Sequence, residues 1–434
     1  MPRPSPASPG AVARLRITGI AAGGAGVGRL ADGRAIFVHR TAPGEEVEAR
    51  VVEEKRRWAR GRLERVLAPA PERREAPCRF YARCGGCTLE HLTYPAQLQA
   101  KRVLVTEAMR RIGGIAPPAL EITASPEEFR YRNRVSFTLV RLAHGRVAAG
   151  FHELERPARI LDVDGDCLLP EPAVATAWSA LRRHWGPDAN RLPPGERLRL
   201  TLRATGAGAV SLLVEGGYGP GRPDELRERV PKLAAVWHRP GTGSPVLLAG
   251  AESLAESWEE EDLALSGAVF LQVNRGAAAR LEEYVAELAG EVAGARVVDA
   301  YCGVGLHARR LARRGARVLG IELDPLAVAE ARRSAPEGAT FEVARVEDAL
   351  PAALPADLVI LNPPRSGLDP AVPGQLLGAP PARLTYVSCD PATLARDLGR
   401  LANGFSVASV HAFDLFPQTA HVETVVALTR VGSG

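Results

Sequence analysis

No apolar run in the 434-residue chain reaches the about 18 residues needed to cross a bilayer, and its start shows no charged segment, apolar core and cleavage site in series. These absences lead us to expect a soluble cytoplasmic protein with no membrane partner. Histidine and methionine are scarce, at nine and two residues, which leaves little for a histidine-based metal site. The six cysteines, at 78, 84, 87, 167, 302 and 389, are too few and too clustered to staple a chain of this size with disulfides. Neither sign of charge is in large excess. Fifty-five basic residues, mostly arginine, stand against 50 acidic ones, giving a net charge of +5 and a pI near 9.0. That surplus points only weakly to nucleic acid, because many basic proteins bind none. With 46% apolar and 24% charged residues the chain is globular in composition, and its length exceeds one core, so two or three domains are expected.

What is present is organised around residues 297–325, VVDAYCGVGLHARRLARRGARVLGIELDP. A short apolar run ends in Asp299, and a turn bearing Gly303 and Gly305 leads into an Arg/Ala/Leu helix pattern. Gly315 then breaks the helix, and a second apolar run ends in Glu322. This is strand, tight loop, helix, strand, acid. Glycines let the backbone approach a ligand, and an acid ending the second strand can hold a ribose diol. The loop is DxxCGxG rather than the GxGxxG of dinucleotide-binding folds, so no pyrophosphate needs cradling. S-adenosylmethionine is the better ligand. Set against this is an ordinary α/β crossover with a glycine-rich turn.

Upstream, residues 2–10 form a Pro/Ser-rich tail expected to be disordered. Short strands with glycine corners follow from Val12, which suggests a small barrel. Residues 55–65 carry six basic residues and one acid, with Trp58 among them. Such a run is most often a solvated face, but on a small barrel it suits an RNA backbone beside a stacked base. Next, Cys78, Cys84 and Cys87 are spaced x5 and x2, with Gly85-Gly86 between the last two, and Cys167 follows in DVDGDCLLP. Four thiolates can hold tetrahedral zinc or a [4Fe-4S] cluster. Zinc favours paired CxxC knuckles, and one knuckle joined by two single cysteines leans toward iron–sulfur.

Residues 94–112 read as a helix, with Leu98, Val105, Met109 and Ile112 near one face and Gly113-Gly114 ending it. EFRYRNR at 128–134 precedes an alternating strand at 135–140. Further strands at 198–202, 210–214 and 236–237 suggest a sheet-rich middle. Arg130, Arg132 and Arg134 suit phosphate contact, although alternating arginines on a strand more often face solvent. In the last third, FLQVN at 270–274 precedes a helix, and the apolar strand at 358–361 ends in Asn362-Pro363-Pro364-Arg365. Another strand, 384–387, delivers Ser388-Cys389-Asp390-Pro391. Cys389 thus sits at a strand end, where parallel-sheet folds place reactive groups. A free cysteine is otherwise a small buried hydrophobe. Strands at 405–413 and 424–428 close the chain, with His421-Val422-Glu423 opening the last.

NPPRSG, YVSCDPATLARDL and HVETV, together with FLQVN and DAYCGVG, resemble the RNA 5-methyluridine methyltransferases over essentially the whole chain. The resemblance implies three parts. A TRAM domain, an OB-like β-barrel that binds RNA, would span 11–70 after the tail at 1–10. A β-rich central domain with an iron–sulfur cluster would span 71–265, its helix at 94–112 packing on the catalytic domain. An α/β Rossmann-like SAM-dependent methyltransferase domain would span 266–434. It also implies that Cys78, Cys84, Cys87 and Cys167 hold a [4Fe-4S] cluster, and that Gln272, Asp299, Tyr301, Gly303, Glu322, Asp348 and Asn362 surround S-adenosylmethionine. By the same resemblance, Cys389 is the nucleophile and Glu423 the general base. Cluster and barrel together suit the branch that modifies 23S rRNA, with a T-loop uridine of tRNA as the alternative. The implied partner is structured RNA, not DNA, and a monomer is expected.

Two residues depart from the family pattern: Asn362 stands where aspartate is usual, and Asp390 where asparagine is usual. A rearranged pair would shift base choice toward cytosine or slow the enzyme. Leu306-His307 also replaces the usual Asn-Phe or Asn-Thr, and His307 reads as a helix-start residue rather than a catalyst. Two other classes remain in view, a non-catalytic RNA-binding or ribosome-assembly factor that kept the fold and an iron–sulfur redox protein. Intact Cys389 and Glu423 disfavour the first. A cluster saturated by four cysteines disfavours the second.

Overall fold

The computed structural model describes residues 10–258, 261–333 and 335–432, and the expected tail at 1–9 lies outside them. The first unit is a six-stranded sheet in the order Val12–Arg16, Glu46–Glu54, Trp58–Ala68, Ala35–His39, Ala25–Arg29, Gly19–Ile20. Strand alternation sends Val47, Ala49 and Val51 inward to meet Leu15, Ile36 and Val38, and turns the intervening charges outward. The basic run becomes an exposed turn at 55–57 and the outer face of the next strand. There Arg60, Arg62 and Arg65 pair with Glu53, Glu64 and Glu48. Trp58 is half-buried rather than exposed, its ring edge-on to Phe37 at 6.0 Å.

The middle of the chain forms a seven-stranded sheet ordered Ile160–Asp162, Val147–His152, Arg134–Arg141, Arg197–Ala204, Val210–Glu215, Leu233–Arg239, Val246–Gly250. The helix Pro172–His184 covers it, stacking Trp178 on Phe137 with centroids 3.8 Å apart. Of the arginines that lead into this sheet Arg130 is exposed and Arg132 and Arg134 are half-buried, and each has a partner within the protein. Arg130 donates to the Cys167 carbonyl (3.0 Å), Arg132 to the Tyr131 hydroxyl (3.2 Å), and Arg134 lies over the Phe270 ring (5.6 Å). They tie the cysteine region and the catalytic half to the central sheet.

The catalytic half is an eight-stranded sheet ordered Ala339–Val343, Arg317–Glu322, Arg296–Ala300, Leu358–Leu361, Arg383–Ser388, Glu423–Arg430, Phe405–Phe413, Glu121–Thr123. The first five strands run parallel, and Glu423–Arg430 pairs antiparallel to its neighbours on both sides. The edge strand, Glu121–Thr123, comes from far upstream and pairs parallel with Phe405–Phe413. The helix Tyr94–Arg111 also belongs here: Val105 and Met109 enter the same core as Leu394 and Leu398. Its inner face is Gln97, Lys101, Val105 and Met109, whereas Ile112 is exposed. Two polar residues hold that face because both are matched. The Lys101 ammonium meets the Asp414 carboxylate at 2.5 Å and the Phe416 carbonyl at 3.0 Å, with both charges fully buried. Removing one partner alone would strand the other charge, at a cost of about 3–5 kcal/mol.

Residue 265 is not a packing boundary. The hairpin Leu254–Trp258 with Glu261–Leu265 buries Trp258, Leu263 and Leu265 in the same core as Leu281, Val297 and Val318. Among the described residues no helix is long and apolar enough to cross a membrane.

Candidate active site

Asp299 is the penultimate residue of the strand Arg296–Ala300, after which the chain reverses at once. The reversal uses left-handed backbone at Tyr301 (φ 62°), Gly303 (φ 56°) and Gly305 (φ 78°). At Gly305 a side chain is excluded twice over, because a Cβ would also lie 2.3 Å from the Phe341 ring. The loop is pinned by its neighbours: Cys302 N–H donates to the Ile321 carbonyl (3.1 Å), and Gly303 N–H to the Glu322 carboxylate (3.0 Å). Ala308 N–H donates to Asp299 (3.0 Å), which fastens the next helix, Leu306–Arg313, to the strand. Asp299 is fully buried, its second oxygen meets no protein partner, and burial pushes its pKa up to about 6.

One cavity of about 970 Å³ runs across the C-terminal ends of the parallel strands, room enough for a cofactor and a nucleotide. Gln272, Tyr301, Gly303, Glu322, Asn362, Cys389 and Glu423 all line it. Gln272 is held there because Asn133 donates to its carbonyl (3.0 Å), while Asn274 caps the helix Arg275–Ala289 by accepting from Ala277 N–H (3.2 Å). Two expected cofactor residues are elsewhere. Asp299 sits beneath the loop, off the wall. Asp348 is exposed, and its neighbours Glu347 and Arg345 line the cavity instead. Adjacent residues in the first turn of a helix differ by about 100° in direction, so a one-residue error turns an acid from wall to solvent.

Cys389 and Glu423 come from two adjacent antiparallel strand ends to the same wall. Burial pushes the Cys389 thiol up, and the Glu423 carboxylate adds to that shift. Burial likewise raises Glu423, to about 7, and the Arg365 guanidinium, which faces both groups, opposes the rise in each. The departure at Asp390 has a local explanation. Its side chain accepts from Ala392 N–H and Thr393 N–H (both 2.9 Å), capping the helix Pro391–Leu401, and it does not line the cavity. A carboxylate suits that helix start as well as an amide does.

Sequence reasoning assigned no role to Arg365 or Asp397. Asp397 is fully buried and accepts from Leu368 N–H (2.8 Å), the Tyr386 hydroxyl (3.0 Å) and the guanidinium groups of Arg396 and Arg400. Arg396 also donates to the Ser366 carbonyl (2.8 Å). The loop that presents Asn362 and Arg365 is thereby tied to the helix that follows Cys389. The signal was the ARD of YVSCDPATLARDL, where an acid falls on the buried face of an amphipathic helix.

Cys78, Cys84, Cys87 and Cys167 come together on a second, small cavity of about 20 Å³, walled by Tyr81, Phe151 and Leu169. All four are free thiols, and burial raises the pKa of each. Gly86 N–H points at the Cys84 sulfur (3.3 Å). Among the described residues no group of three or more His, Cys, Asp or Glu is placed to hold a metal ion. The four sulfurs share the cavity with the Glu90 carboxylate, which accepts from Cys78 N–H (2.7 Å). Next to it, Thr88 N–H and Leu89 N–H donate to the Gln418 carbonyl (2.9 and 3.0 Å), on the loop that leads to Glu423.

The parallel sheet, the pinned glycine loop and the cavity over the strand ends place the catalytic half among the SAM-dependent methyltransferases. A general methyltransferase-domain model matches residues 297–370. The fuller family is narrower. A tRNA (uracil-5-)-methyltransferase model matches residues 339–431, and a TRAM-domain model residues 6–63. An uncharacterized RNA methyltransferase of Gloeobacter violaceus is 37% identical over 98% of this chain and 99% of its own, and one of Halalkalibacterium halodurans is 32% identical over 98% of each. Among solved structures, the tRNA (uracil-54, C5)-methyltransferase of Pyrococcus abyssi in complex with S-adenosyl-L-homocysteine matches with a TM-score of 0.74 at 27% identity, over 96% of this chain and 100% of that one. The chain belongs to the RNA uracil-C5 methyltransferase family and is a SAM-dependent RNA methyltransferase with an N-terminal TRAM domain.

Proposed function

We propose that the protein methylates carbon 5 of a uridine in 23S rRNA through a covalent adduct with Cys389, acting as a cytoplasmic monomer on structured RNA. The observation that carries this reading is the shared cavity of Cys389, Glu423 and the glycine loop. S-adenosylmethionine, when bound, supplies an electrophilic methyl group on its sulfonium sulfur. Gln272, Tyr301, Gly303 and Glu322 would hold it, with Asp299 bracing the loop from below. Carbon 5 of uracil is a poor nucleophile by itself. The Cys389 thiolate adds to carbon 6, which turns the ring into an enolate and makes carbon 5 nucleophilic. Once carbon 5 carries the methyl group, Glu423 takes its proton, the electrons of that C–H bond restore the double bond, and the thiolate leaves carbon 6. Arg365, facing both groups, favours thiolate and carboxylate alike. Asn362 offers a donor and an acceptor to the uracil edge.

The cysteine quartet, read as a [4Fe-4S] site, is what turns the choice toward 23S rRNA. It predicts about four iron and four sulfide per chain in protein purified without oxygen. Zinc, or neither element, would remove the cluster and with it this argument for the ribosomal branch. The second reading, a T-loop uridine of tRNA, is favoured by the whole-length likeness to the Pyrococcus abyssi enzyme. Position-mapped mass spectrometry of nucleosides from a deletion strain and its parent separates the two. Loss of one 5-methyluridine from 23S rRNA is expected. Loss from tRNA instead keeps the chemistry and replaces the substrate, and retention of every 5-methyluridine overturns both.

A further inference from the structure

The strand order divides the cavity. Glu322 and Glu347 stand over the strands Arg317–Glu322 and Ala339–Val343 at one end, and Asn362, Cys389 and Glu423 stand over the other. Between them lies the strand Arg296–Ala300 with its glycine loop. A cofactor whose ribose diol meets Glu322 and whose methyl group reaches carbon 5 must set its sulfur over this middle strand. The third arm on that sulfur, an amino acid carrying an ammonium and a carboxylate, then needs partners in the middle of the wall.

His307 and Glu282 are there. They come from the packed helices Leu306–Arg313 and Arg275–Ala289, both line the cavity, and the His307 Nδ1 and Glu282 Oε2 atoms are 2.9 Å apart. Each side chain is more than nine-tenths buried. An ion pair so enclosed costs most of its attraction in lost hydration, so it is a poor device for stability alone. His307 also stands where the family usually has phenylalanine or threonine, so the pair is not a requirement of the loop. We propose that Glu282 and His307 form the receptor for the zwitterionic end of the cofactor, the carboxylate accepting from its α-ammonium and the imidazolium donating to its α-carboxylate. The charged groups facing His307 agree with an imidazolium there. Glu282 on one helix and Asp299 on the strand raise its pKa to about 9, against burial and against Arg310 on its own helix.

The inference rests on the methyltransferase reading, and two ligands keep the two apart. S-adenosylhomocysteine carries the amino-acid end, and 5′-methylthioadenosine lacks it while keeping the adenosine and sulfur. Calorimetric titration of the full-length protein with each is compared among wild type, His307→Phe and Glu282→Gln. Phenylalanine is the family's own residue at this place, and glutamine keeps the shape of glutamate. Both variants are expected to weaken S-adenosylhomocysteine about tenfold or more, as for loss of a charge-assisted contact, and to change methylthioadenosine binding by less than about twofold. Equal weakening of both ligands, or of neither, overturns the inference. Failure of wild type to bind either ligand overturns the methyltransferase reading, and the inference with it.

Discussion

Replacing Cys389 by alanine is expected to end methylation, with turnover falling by about 10⁴-fold or more, as when a covalent catalyst loses its nucleophile. Binding of S-adenosylhomocysteine should be unchanged, because the glycine loop and Glu322 are anchored by their own hydrogen bonds, not by Cys389. Single-turnover assays with RNA, read beside ligand titration, would check both halves. The size of the effect follows from the ring chemistry. Without a nucleophile at carbon 6 no electron density is delivered to carbon 5, and no general base restores it. Cys302 also lines the cavity, but it sits in the glycine loop, and burial with Asp299 and Glu322 nearby drives its thiol pKa far above the usual range. A Cys389→Ala protein that still methylates would therefore mean that the adduct is not on the path. A further loss in the Cys302→Ala background would instead move the nucleophile to Cys302. Serine at 389 should do no better than alanine, because an alcohol in this half-buried setting is hardly ionised.

The features that sequence made legible are those in which residue type and chain position act together. The strand, glycine loop, strand and acid of 297–322 could be read because each needs its own residue at its own place, and so could the strand that delivers Cys389, whereas Glu423 was singled out only by the family resemblance. Residues whose meaning depends on direction were harder. Asp348 and Glu347 are one position apart in an acidic helix start, and only the backbone decides which faces the cavity. The arginines at 130, 132 and 134 have the pattern of an exposed strand face, yet their partners are a carbonyl 37 residues on, a neighbouring hydroxyl and a ring from the catalytic half. Lys101 breaks the apolar stripe of its helix because Asp414, 313 residues away, supplies a buried countercharge. Asp397 and the His307–Glu282 pair are of the same kind, since each joins elements that no local period connects. Asp390 shows the opposite, a local role. Its side chain caps the helix that follows Cys389, which a carboxylate does as well as an amide.

Glu423→Gln is expected to stall the enzyme after methyl transfer rather than before it. The Cys389 addition and the methylation of carbon 5 need no base at 423, so the variant should produce one equivalent of S-adenosylhomocysteine and then hold the methylated RNA as a covalent adduct, visible on a denaturing gel. Multiple turnover should fall by about 10²–10⁴-fold, the usual contribution of a general base. Wild type should show the acidic limb that this role demands. Burial raises Glu423 from 4.5 to about 7, so below that pH the carboxyl is protonated and cannot accept the carbon 5 proton, and turnover rises as pH is raised through about 7. Stability runs the other way. A carboxyl whose pKa is raised on folding favours the native state below its unfolded value of 4.5, and that advantage is lost as pH rises through about 7. Glutamine, which never ionises, should then leave the protein at least as stable as wild type at pH 8, so a dead variant cannot be dismissed as an unfolded one. Turnover near wild type with the acidic limb intact would place the base elsewhere. No adduct at all, with Cys389 present, would move Glu423 to an earlier step, as the group that takes the Cys389 thiol proton before carbon 6 is attacked.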